Sequence, residues 1–513
     1  MIRVSRVAMT ILLLAPVGCH RHRDVAAVGP STETQPVDGA LRVEPGNALR
    51  ITLGAEVDDQ VSIAASSVVL RHATGSVPVT VDYDPTTRTA SIQPQQSLAG
   101  GAVYVAEVRD ANGSGWEYAW QFATRDDRTW QSIPAVAGTR WVRWPNGQVH
   151  AYWTDATAQV QTGILPPGSA ALIPGGAVGA GSLLTVGFDP SGFETVLLQT
   201  TGVDAYYRLP GGSWNGPLPS PTVPSGGITN GYSGARTAPD GTVAFFTYWM
   251  FYHSGGTDVV PFSPTAGWLP SSGWSYSQFP PSPQFRSAVD WISTTRLVRV
   301  SASVVGAEWQ VQSAFVPNQP LATAGVADDV LPTAVANATG QALFAWLVVT
   351  GDTWSLHATA PASESVIVVP TSLGSGTGWA STRAPTVALG PSGHAVVVLP
   401  IGSDLRVWRY SPGTGWSSGA TFPSGPYYAS LPPDNPGFGV GIDADGDVLL
   451  VHQRDDAVVA YRGYVGLAWD DAERIESVQG ASTAGRFEVL HDPVAGDLVT
   501  WSSGAALGTY RRL

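Results

Sequence analysis

The pattern of apolar and polar positions changes near residue 125. Between residues 40 and 125 apolar and polar residues alternate, and the runs end at turn sequences such as Asp84-Pro85-Thr86-Thr87. This period of two predicts half-buried strands. About seven short strands in a segment of this length are typical of a β-sandwich. The candidate strands are Leu49–Leu53, Val77–Tyr83, Thr89–Ile92, Val103–Val108 and Tyr118–Thr124.

After residue 125 a four-strand pattern recurs, most clearly from Ala384 to Trp416. A tight turn with a glycine marks each unit, at Gly147, Gly192, Gly241, Gly340, Gly393, Gly446 and Gly496. The wide interval after Gly241 has room for a degenerate unit with its turn at Ile292–Thr295. Eight units of about 50 residues predict an all-β chain, in which an eight-bladed β-propeller follows the sandwich. If the degenerate unit is an insertion, seven blades remain.

The last unit reaches Leu513 without a fourth strand. A matching tryptophan-bearing segment, Asp126–Ile133, stands just before the first unit. We expect a strand in residues 126–135 to complete the last blade, because closing the ring removes sheet edges that promote aggregation. Residues 40–125 are therefore assigned to the sandwich and residues 126–513 to the propeller.

Composition and charge narrow the classes of function. The net charge is -13, and all 27 basic residues are arginine. An acidic chain with scattered arginines lacks the basic face that nucleic-acid binding needs, so no nucleic-acid partner is expected. The absence of lysine excludes phosphate-binding loops that need one. Because Cys19 is the single cysteine, disulfides within the folded body and cysteine zinc sites are excluded as well.

The N-terminus predicts export. Arg3 and Arg6 precede the apolar run Val7–Val17, which is too short to be a standing transmembrane helix. Residues 16–19 resemble the lipobox of bacterial lipoproteins, although Pro16 stands where that family usually has leucine. The resemblance implies a signal peptide at residues 1–19, a lipid on Cys19 and an envelope location, in the outer membrane or at the cell surface. The alternative is a plain secretory signal and a secreted protein. Residues 20–39 lack apolar periodicity and predict a flexible tether.

The segment at residues 40–125 resembles the bacterial Ig-like modules of surface and S-layer proteins. The residues that carry the resemblance are Val79–Asp84, Ile92–Pro94, Leu98–Tyr104 and Trp120–Thr124. The resemblance implies a spacer or adhesion module without catalytic residues. The Gly-x-Trp turns of the repeat resemble the Asp-box repeats of sialidase-like propellers, but their Ser-x-Asp core is mostly missing.

Two long irregular loops are the candidate binding site, because binding commonly lies on loops that a rigid scaffold positions. Both belong to the face formed by the second-to-third turns and the links between blades. They carry Trp274, Tyr276, Phe279 and Phe285 in one loop and Tyr427 and Tyr428 in the other. Their rings would stack on a glycan or on a partner protein of the envelope. The alternative is that these aromatic residues only cover blade edges. The aromatic run Tyr248–His253 is expected to pack between blades.

No catalytic, metal or cofactor site is predicted. Asp443–Asp447 looks like the start of a calcium loop, but it coincides with the hairpin turn of its unit, where Asp-Gly is favoured by the backbone. An enzyme of sialidase type would need a Tyr-Glu pair and an arginine cluster at the propeller centre. The candidate arginines are Arg296, Arg299, Arg406 and Arg454.

The sequence therefore predicts an exported, lipid-anchored binding or adhesion protein, monomeric and attached to a membrane through its N-terminal lipid. Two alternatives stay open. One is a carbohydrate-active enzyme of sialidase or lyase type, with its site in the propeller centre. The other is a structural component of the envelope. A centre lined by several carboxylates and arginines would favour the enzyme, and an apolar centre would favour binding.

Overall fold

The computed structural model is built almost entirely of β-strands. It describes residues 32–512 except 55–56, 58–60, 73–74, 113–116, 126–127, 134–138, 145–147, 168, 190–191, 210, 222–227, 238–241, 252–253, 277–284, 294–295, 306–307, 314–318, 326, 338, 364–369, 378–383, 424–436, 455–456, 478–485, 492–495 and 504–505. Within these residues no helix is long and apolar enough to cross a membrane.

The N-terminal unit is a β-sandwich. Its strands are β1 (Glu33–Gln35), β2 (Ala40–Val43), β3 (Leu49–Thr52), β4 (Val68–His72), β5 (Gly75–Val77), β6 (Val79–Asp84), β7 (Thr89–Pro94), β8 (Val103–Arg109) and β9 (Glu117–Thr124), with a 3-10 turn at Ala65–Ser67. One sheet has the order β1-β3-β7-β6 and the other β2-β9-β8-β4-β5. The predicted all-β fold is confirmed, and alternate residues of β3, β7 and β8 form the core between the sheets.

The sandwich begins earlier than the sequence indicates. Strand β1 pairs with β3 in register Thr34↔Ile51, and Thr34 is buried. This strand lies inside residues 20–39, which the sequence predicts to be a tether. The strand has only three residues, and all three are polar, so it has no hydrophobic periodicity. Backbone pairing with an existing sheet edge, rather than an apolar face, holds it in place.

Eight further sheets follow and are called blades 1–8 here. Blade 1 contains β11 (Arg140–Arg143), β12 (Val149–Thr154), β13 (Gln159–Leu165) and β14 (Ile173–Ala180). Blade 2 contains β15 (Ser182–Phe188), β16 (Glu194–Gln199), β17 (Val203–Arg208) and β18 (Asn215–Pro219). Blade 3 contains β19 (Ile228–Thr237), β20 (Val243–Phe251), β21 (Ser254–Ser263), β22 (Gly267–Trp268) and β23 (Ser272–Tyr276). Blade 4 contains β24 (Phe285–Ser293), β25 (Arg296–Val305), β26 (Glu308–Ser313) and β27 (Gln319–Gly325).

The second half of the ring has the same plan. Blade 5 contains β28 (Asp329–Ala336), β29 (Gln341–Thr350), β30 (Thr353–Thr359), β31 (Ala362–Ser363) and β32 (Pro370–Thr377). Blade 6 contains β33 (Thr386–Leu389), β34 (Ala395–Ile401), β35 (Asp404–Ser411), β36 (Gly415–Trp416) and β37 (Ala420–Phe422). Blade 7 contains β38 (Phe438–Ile442), β39 (Val448–Arg454), β40 (Ala457–Gly463) and β41 (Glu473–Ser477). Blade 8 contains β42 (Arg486–Leu490), β43 (Leu498–Ser503) and β44 (Ala506–Arg512).

The eight sheets form a closed ring. Each blade contacts the next, and β42 of blade 8 contacts β11 of blade 1. Blade 8 takes its fourth strand from the start of the propeller, since β10 (Trp130–Ser132) pairs with β44 in register Trp130↔Arg512. The second strands, such as β34 and β39, are almost wholly buried because each blade is covered by a neighbour on both faces.

The repeated glycine has a backbone role. Gly192, Gly340, Gly393, Gly446 and Gly496 all have φ between 82° and 93°. In four of these turns the glycine N–H donates to the carbonyl three residues earlier, as from Gly340 to Asn337 at 3.1 Å. This is the three-residue hairpin that ends in a left-handed bulge residue. Glycine adopts that conformation without the strain a β-carbon would bring, which explains why the turn can be followed through the sequence.

Candidate functional site

The candidate loop residues lie around the links between blades. Trp274 and Tyr276 belong to β23, where they pair with Thr257 and Gly255 of β21. Phe285 is the first residue of β24, opposite Ser303. These three residues therefore flank the link between blades 3 and 4. Phe279, Tyr427, Tyr428 and Cys19 lie outside the described residues, as do Tyr252 and His253 of the aromatic run whose first four residues end β20.

A cavity of about 340 Å³ lies at the propeller axis. The first strands of five blades line it, mostly through the residues at their C-terminal ends. It is therefore near the first-to-second turns, on the face opposite the links that carry the candidate loops. The lining residues are Arg143, Val335, Val387, Ala388, Leu389, Gly441, Ile442, Val489, Leu490 and His491. Eight of these ten are apolar residues or glycine, and the other two supply one guanidinium and one imidazole.

A buried ionic cluster stands beside the cavity, where blades 7 and 8 meet. His491 Nδ1 lies 2.6 Å from Asp497 Oδ1, and His491 Nε2 lies 3.6 Å from Asp443 Oδ2. The other oxygen of Asp497 accepts a hydrogen bond from Arg462 of blade 7. Burial raises the pKa of Asp497, but Arg462 and His491 outweigh it and hold the pKa well below its usual range. Asp497 is therefore a buried carboxylate that ties two blades together.

The hairpin at Asp443–Asp447 uses its carboxylates on the backbone. Asp443 Oδ1 accepts hydrogen bonds from the N–H groups of Asp445, Gly446 and Asp447 at 2.8–2.9 Å. Asp447 Oδ1 accepts one from the N–H of Val465 at 2.8 Å. Within the described residues no group of three or more His, Cys, Asp or Glu is placed to hold a metal ion. The turn geometry alone explains why aspartate occupies these positions.

We expect Asp447 to make stability depend on pH. Burial, followed by the charge of Asp443, raises its pKa from 3.8 to about 7. The folded state therefore binds this proton more tightly, and the stability it contributes is present below pH 4 and lost as the pH rises to 7. Asp447→Asn should unfold with a free energy about 4 kcal/mol higher than the parent at pH 8, and this difference should shrink toward pH 4.

Urea unfolding of both proteins from pH 4 to 8 measures this difference. Burial lowers the pKa of His452 from 6.5 to about 4. The stability that this neutral histidine contributes to the folded state is therefore lost as the pH falls from 6.5 to 4, which is the opposite pH dependence to that of Asp447. His452 is present in both proteins and cancels. Asp445→Asn, in the exposed part of the same turn, is the control and should show a much smaller difference, because the charge of Asp445 is only a minor cause of the raised Asp447 pKa. A difference for Asp447→Asn that does not change with pH would contradict the expectation.

A second buried ionic cluster joins blades 1 and 2. The Tyr152 hydroxyl donates to Glu194 Oε1, and Arg208 donates to Glu194 from Nε at 2.7 Å and from Nη2 at 3.2 Å. The Arg208 guanidinium lies 4.4 Å from the centre of the Trp214 ring. Tyr152 and Glu194 are 0% and 1% exposed. A Tyr-Glu pair with an arginine thus exists, but it lies on second and third strands, away from the first strands that line the cavity.

The candidate arginines of an enzyme do not lie on first strands. Arg296 and Arg299 lie in β25, the second strand of blade 4. Arg406 of blade 6 stacks 5.4 Å from the Trp354 ring of blade 5, and Arg454 of blade 7 donates to the Tyr461 hydroxyl at 3.3 Å. None of the four is on a first strand, and first strands line the axis. Sequence reasoning missed Arg143 and His491, which do line it, because only their position at the end of a first strand distinguishes them.

A comparison with family models agrees with the N-terminal sandwich. Residues 30–124 match the family model described as bacterial Ig-like domain, which confirms the resemblance of this segment. A search among curated proteins finds no match.

Among solved structures, the chain is similar to the Aleuria aurantia lectin in complex with Fucα1-6GlcNAc, with 12% identity over 56% of this chain and 96% of the lectin and a TM-score of 0.29. A Lactobacillus plantarum protein has 12% identity, covers 71% and 90% of the two chains and has a TM-score of 0.34. A polysaccharide lyase, an ulvan lyase bound to a sulfated saccharide, has 8% identity, coverage of 75% and 94% and a TM-score of 0.35. TM-scores this low carry no argument about function.

Proposed function

We propose that this chain is an exported protein of the bacterial cell envelope, anchored by a lipid on Cys19, whose propeller binds a glycan or an envelope protein without catalysing a reaction. The observation that carries the proposal is the lining of the axial cavity. Eight of its ten residues are apolar or glycine, whereas an enzyme of sialidase or lyase type needs carboxylates, arginines or other acid–base groups that face the substrate. The bacterial Ig-like match at residues 30–124 supports an extracellular or envelope setting.

The proposed binding surface is the face that carries the links between blades. Trp274, Tyr276 and Phe285 flank one link, and Tyr427 and Tyr428 belong to another loop of the same kind. Aromatic rings offer a flat apolar area that gives affinity at a low entropic cost. The backbone of β23 pairs with β21, so Trp274 and Tyr276 belong to a paired strand of blade 3. Such an arrangement suits a partner with flat apolar faces, such as a sugar ring.

The test uses the mature chain on immobilised polysaccharides, glycopeptides and envelope extracts, with retention and product release recorded together. We expect retention without product. Replacing Trp274, Tyr427 and Tyr428 by alanine should weaken retention at least about tenfold, since interface aromatics commonly contribute above 1.4 kcal/mol.

Leu209→Ala is the matched control. Leu209 is a large apolar residue that is 51% exposed and follows β17 at the opposite face, so this change should leave retention as it is. Release of a saccharide product would reject the non-catalytic proposal. Retention that all variants share would reject the loop surface, and absence of retention on every matrix would reject binding in favour of a structural role.

A further inference from the structure

The hairpin between the third and fourth strands of blade 7 touches the sandwich. Gln121 of β9 donates from Nε2 to the carbonyl of Gly466 at 2.9 Å. Arg42 of β2 donates from Nε to Asp470 Oδ1 at 2.8 Å. Gly466 has φ +74°, and a β-carbon there would lie 2.7 Å from Gln121 Nε2. Glycine is thus favoured here by the backbone conformation, and a larger residue would have to shift the flexible end of the Gln121 side chain.

An apolar contact lies beside these polar ones. Tyr464 and Leu467 of the hairpin form one buried cluster with Ala123 of β9. Leu41 and Val103 of the sandwich pack against that cluster. Tyr464 is 4% and Leu467 6% exposed, although both stand in a surface turn. Burial of apolar side chains stabilises in proportion to the area removed from water, whereas a half-exposed ion pair such as that of Arg42 contributes little.

The propeller holds this hairpin rigidly from below. Arg409 of blade 6 donates from Nη1 to the Tyr464 carbonyl and from Nη2 to the Leu467 carbonyl, both at 2.7 Å. The same guanidinium lies 5.0 Å from the centre of the Trp469 ring. Asp447 accepts the N–H of Val465. Two blades therefore preorganise the turn, and little chain entropy remains to be lost when the sandwich packs on it.

The equivalent turns of three other blades lack the apolar side chains. Blade 2 has Pro210-Gly211-Gly212-Ser213, blade 3 has Pro264-Thr265-Ala266-Gly267, and blade 6 has Pro412-Gly413-Thr414-Gly415, each followed by tryptophan. Their central residues are small or polar and exposed. Blade 7 alone among these four has the longer turn Tyr464-Val465-Gly466-Leu467-Ala468 before its tryptophan. The apolar side chains are thus an addition to the repeat and not part of it.

We infer that residues 464–470 are a docking site for the Ig-like sandwich, and that the two domains move as one rigid body. The sandwich then orients the propeller instead of serving as a flexible spacer. Third-to-fourth turns share a face with the first-to-second turns, so the sandwich occupies the face opposite the links between blades. The face that carries Trp274 and Phe285 is consequently held away from the N-terminal domain. This inference does not depend on what the propeller binds.

Distances between paired spin labels test the inference. The chain from His20 onward contains no cysteine, so Thr80→Cys in the sandwich and Ala266→Cys in blade 3, both exposed, take the labels selectively. We expect one narrow distance distribution. Leu467→Asp should broaden it severalfold, because it places a charge in the apolar contact. Leu209→Asp, an exposed leucine next to the corresponding turn of blade 2, should leave it narrow.

A second pair of variants covers the case in which Leu467→Asp fails to fold, as judged by its circular dichroism. Arg42→Glu should widen the distribution, and Arg42→Glu combined with Asp470→Arg should narrow it again. A broad distribution in the parent, or a distribution that neither Leu467→Asp nor Arg42→Glu changes, would overturn the inference. No ligand takes part, so this result stays separate from the retention experiment.

Discussion

Replacing Asp497 with asparagine is expected to lower the free energy of unfolding by about 3–5 kcal/mol, the usual cost of removing one partner from a buried ion pair. Asp497 is 0% exposed and contacts both Arg462 and His491. Asparagine has nearly the same shape but no charge, so the Arg462 guanidinium stays buried without its counter-ion. Urea unfolding followed by tryptophan fluorescence measures the loss.

Asp470→Asn is the matched control for this change. It removes the carboxylate of the Arg42 ion pair, in which Arg42 is 49% exposed, and pairs of this kind contribute about 1 kcal/mol or less. The acid limb provides a second readout. Because the pKa of Asp497 is held well below its usual range, the stability it contributes is lost as the pH falls below about 4, and Asp497→Asn should lack that part of the acid transition. Equal losses for the two variants would show that the buried cluster is not a strong tie.

The second large effect is expected at Gly496, in the turn of the closing blade. Gly496 and Gly393 occupy the same turn position in blades 8 and 6, with φ +85° and +84°. A β-carbon at Gly393 would lie 3.0 Å from Gln341 Oε1, an atom of a side chain that can move. A β-carbon at Gly496 would overlap the backbone oxygen of Arg512 in β44. The two substitutions therefore share their backbone strain and differ only in what the methyl group displaces.

Gly393→Ala should cost about 1–2 kcal/mol, the strain of a left-handed alanine. Gly496→Ala should cost about 3 kcal/mol or more, because strain is joined by displacement of a paired strand. Thermal and urea unfolding of both variants measure these costs. A displaced β44 also loosens its pairing with Trp130, so amide hydrogens of residues 130–132 should exchange faster in Gly496→Ala alone. Similar costs and exchange rates in the two variants would show that β44 tolerates the displacement.

Local features of this fold were accessible from sequence, whereas contacts between distant residues were not. The turn glycines could be followed because one backbone conformation demands glycine at each repeat. Strand β1 escaped prediction since its polar residues carry no periodicity. The Tyr152–Glu194 pair and the docking hairpin depend on which side chains the ring brings together, as with Gln121 and Gly466, 345 positions apart. Neither composition nor spacing encodes such pairs. The candidate site was predicted from loop length and aromatic content alone, and those signals point to a face and not to a ligand.

Ring closure by β10 also has a consequence for folding. The first strand of the propeller to be synthesised has as its partner the last one, and Arg512 Nε donates to the carbonyl of Arg128, 384 residues earlier. Closing a loop of that length costs about 3 kcal/mol more entropy than closing a ten-residue hairpin. A nascent chain therefore cannot complete its ring until the seven residues of β44, Ala506–Arg512, have emerged. Until then the edges of β10 and β43 that β44 will pair with are open. A chaperone that covers these edges would act at the latest stage of biogenesis.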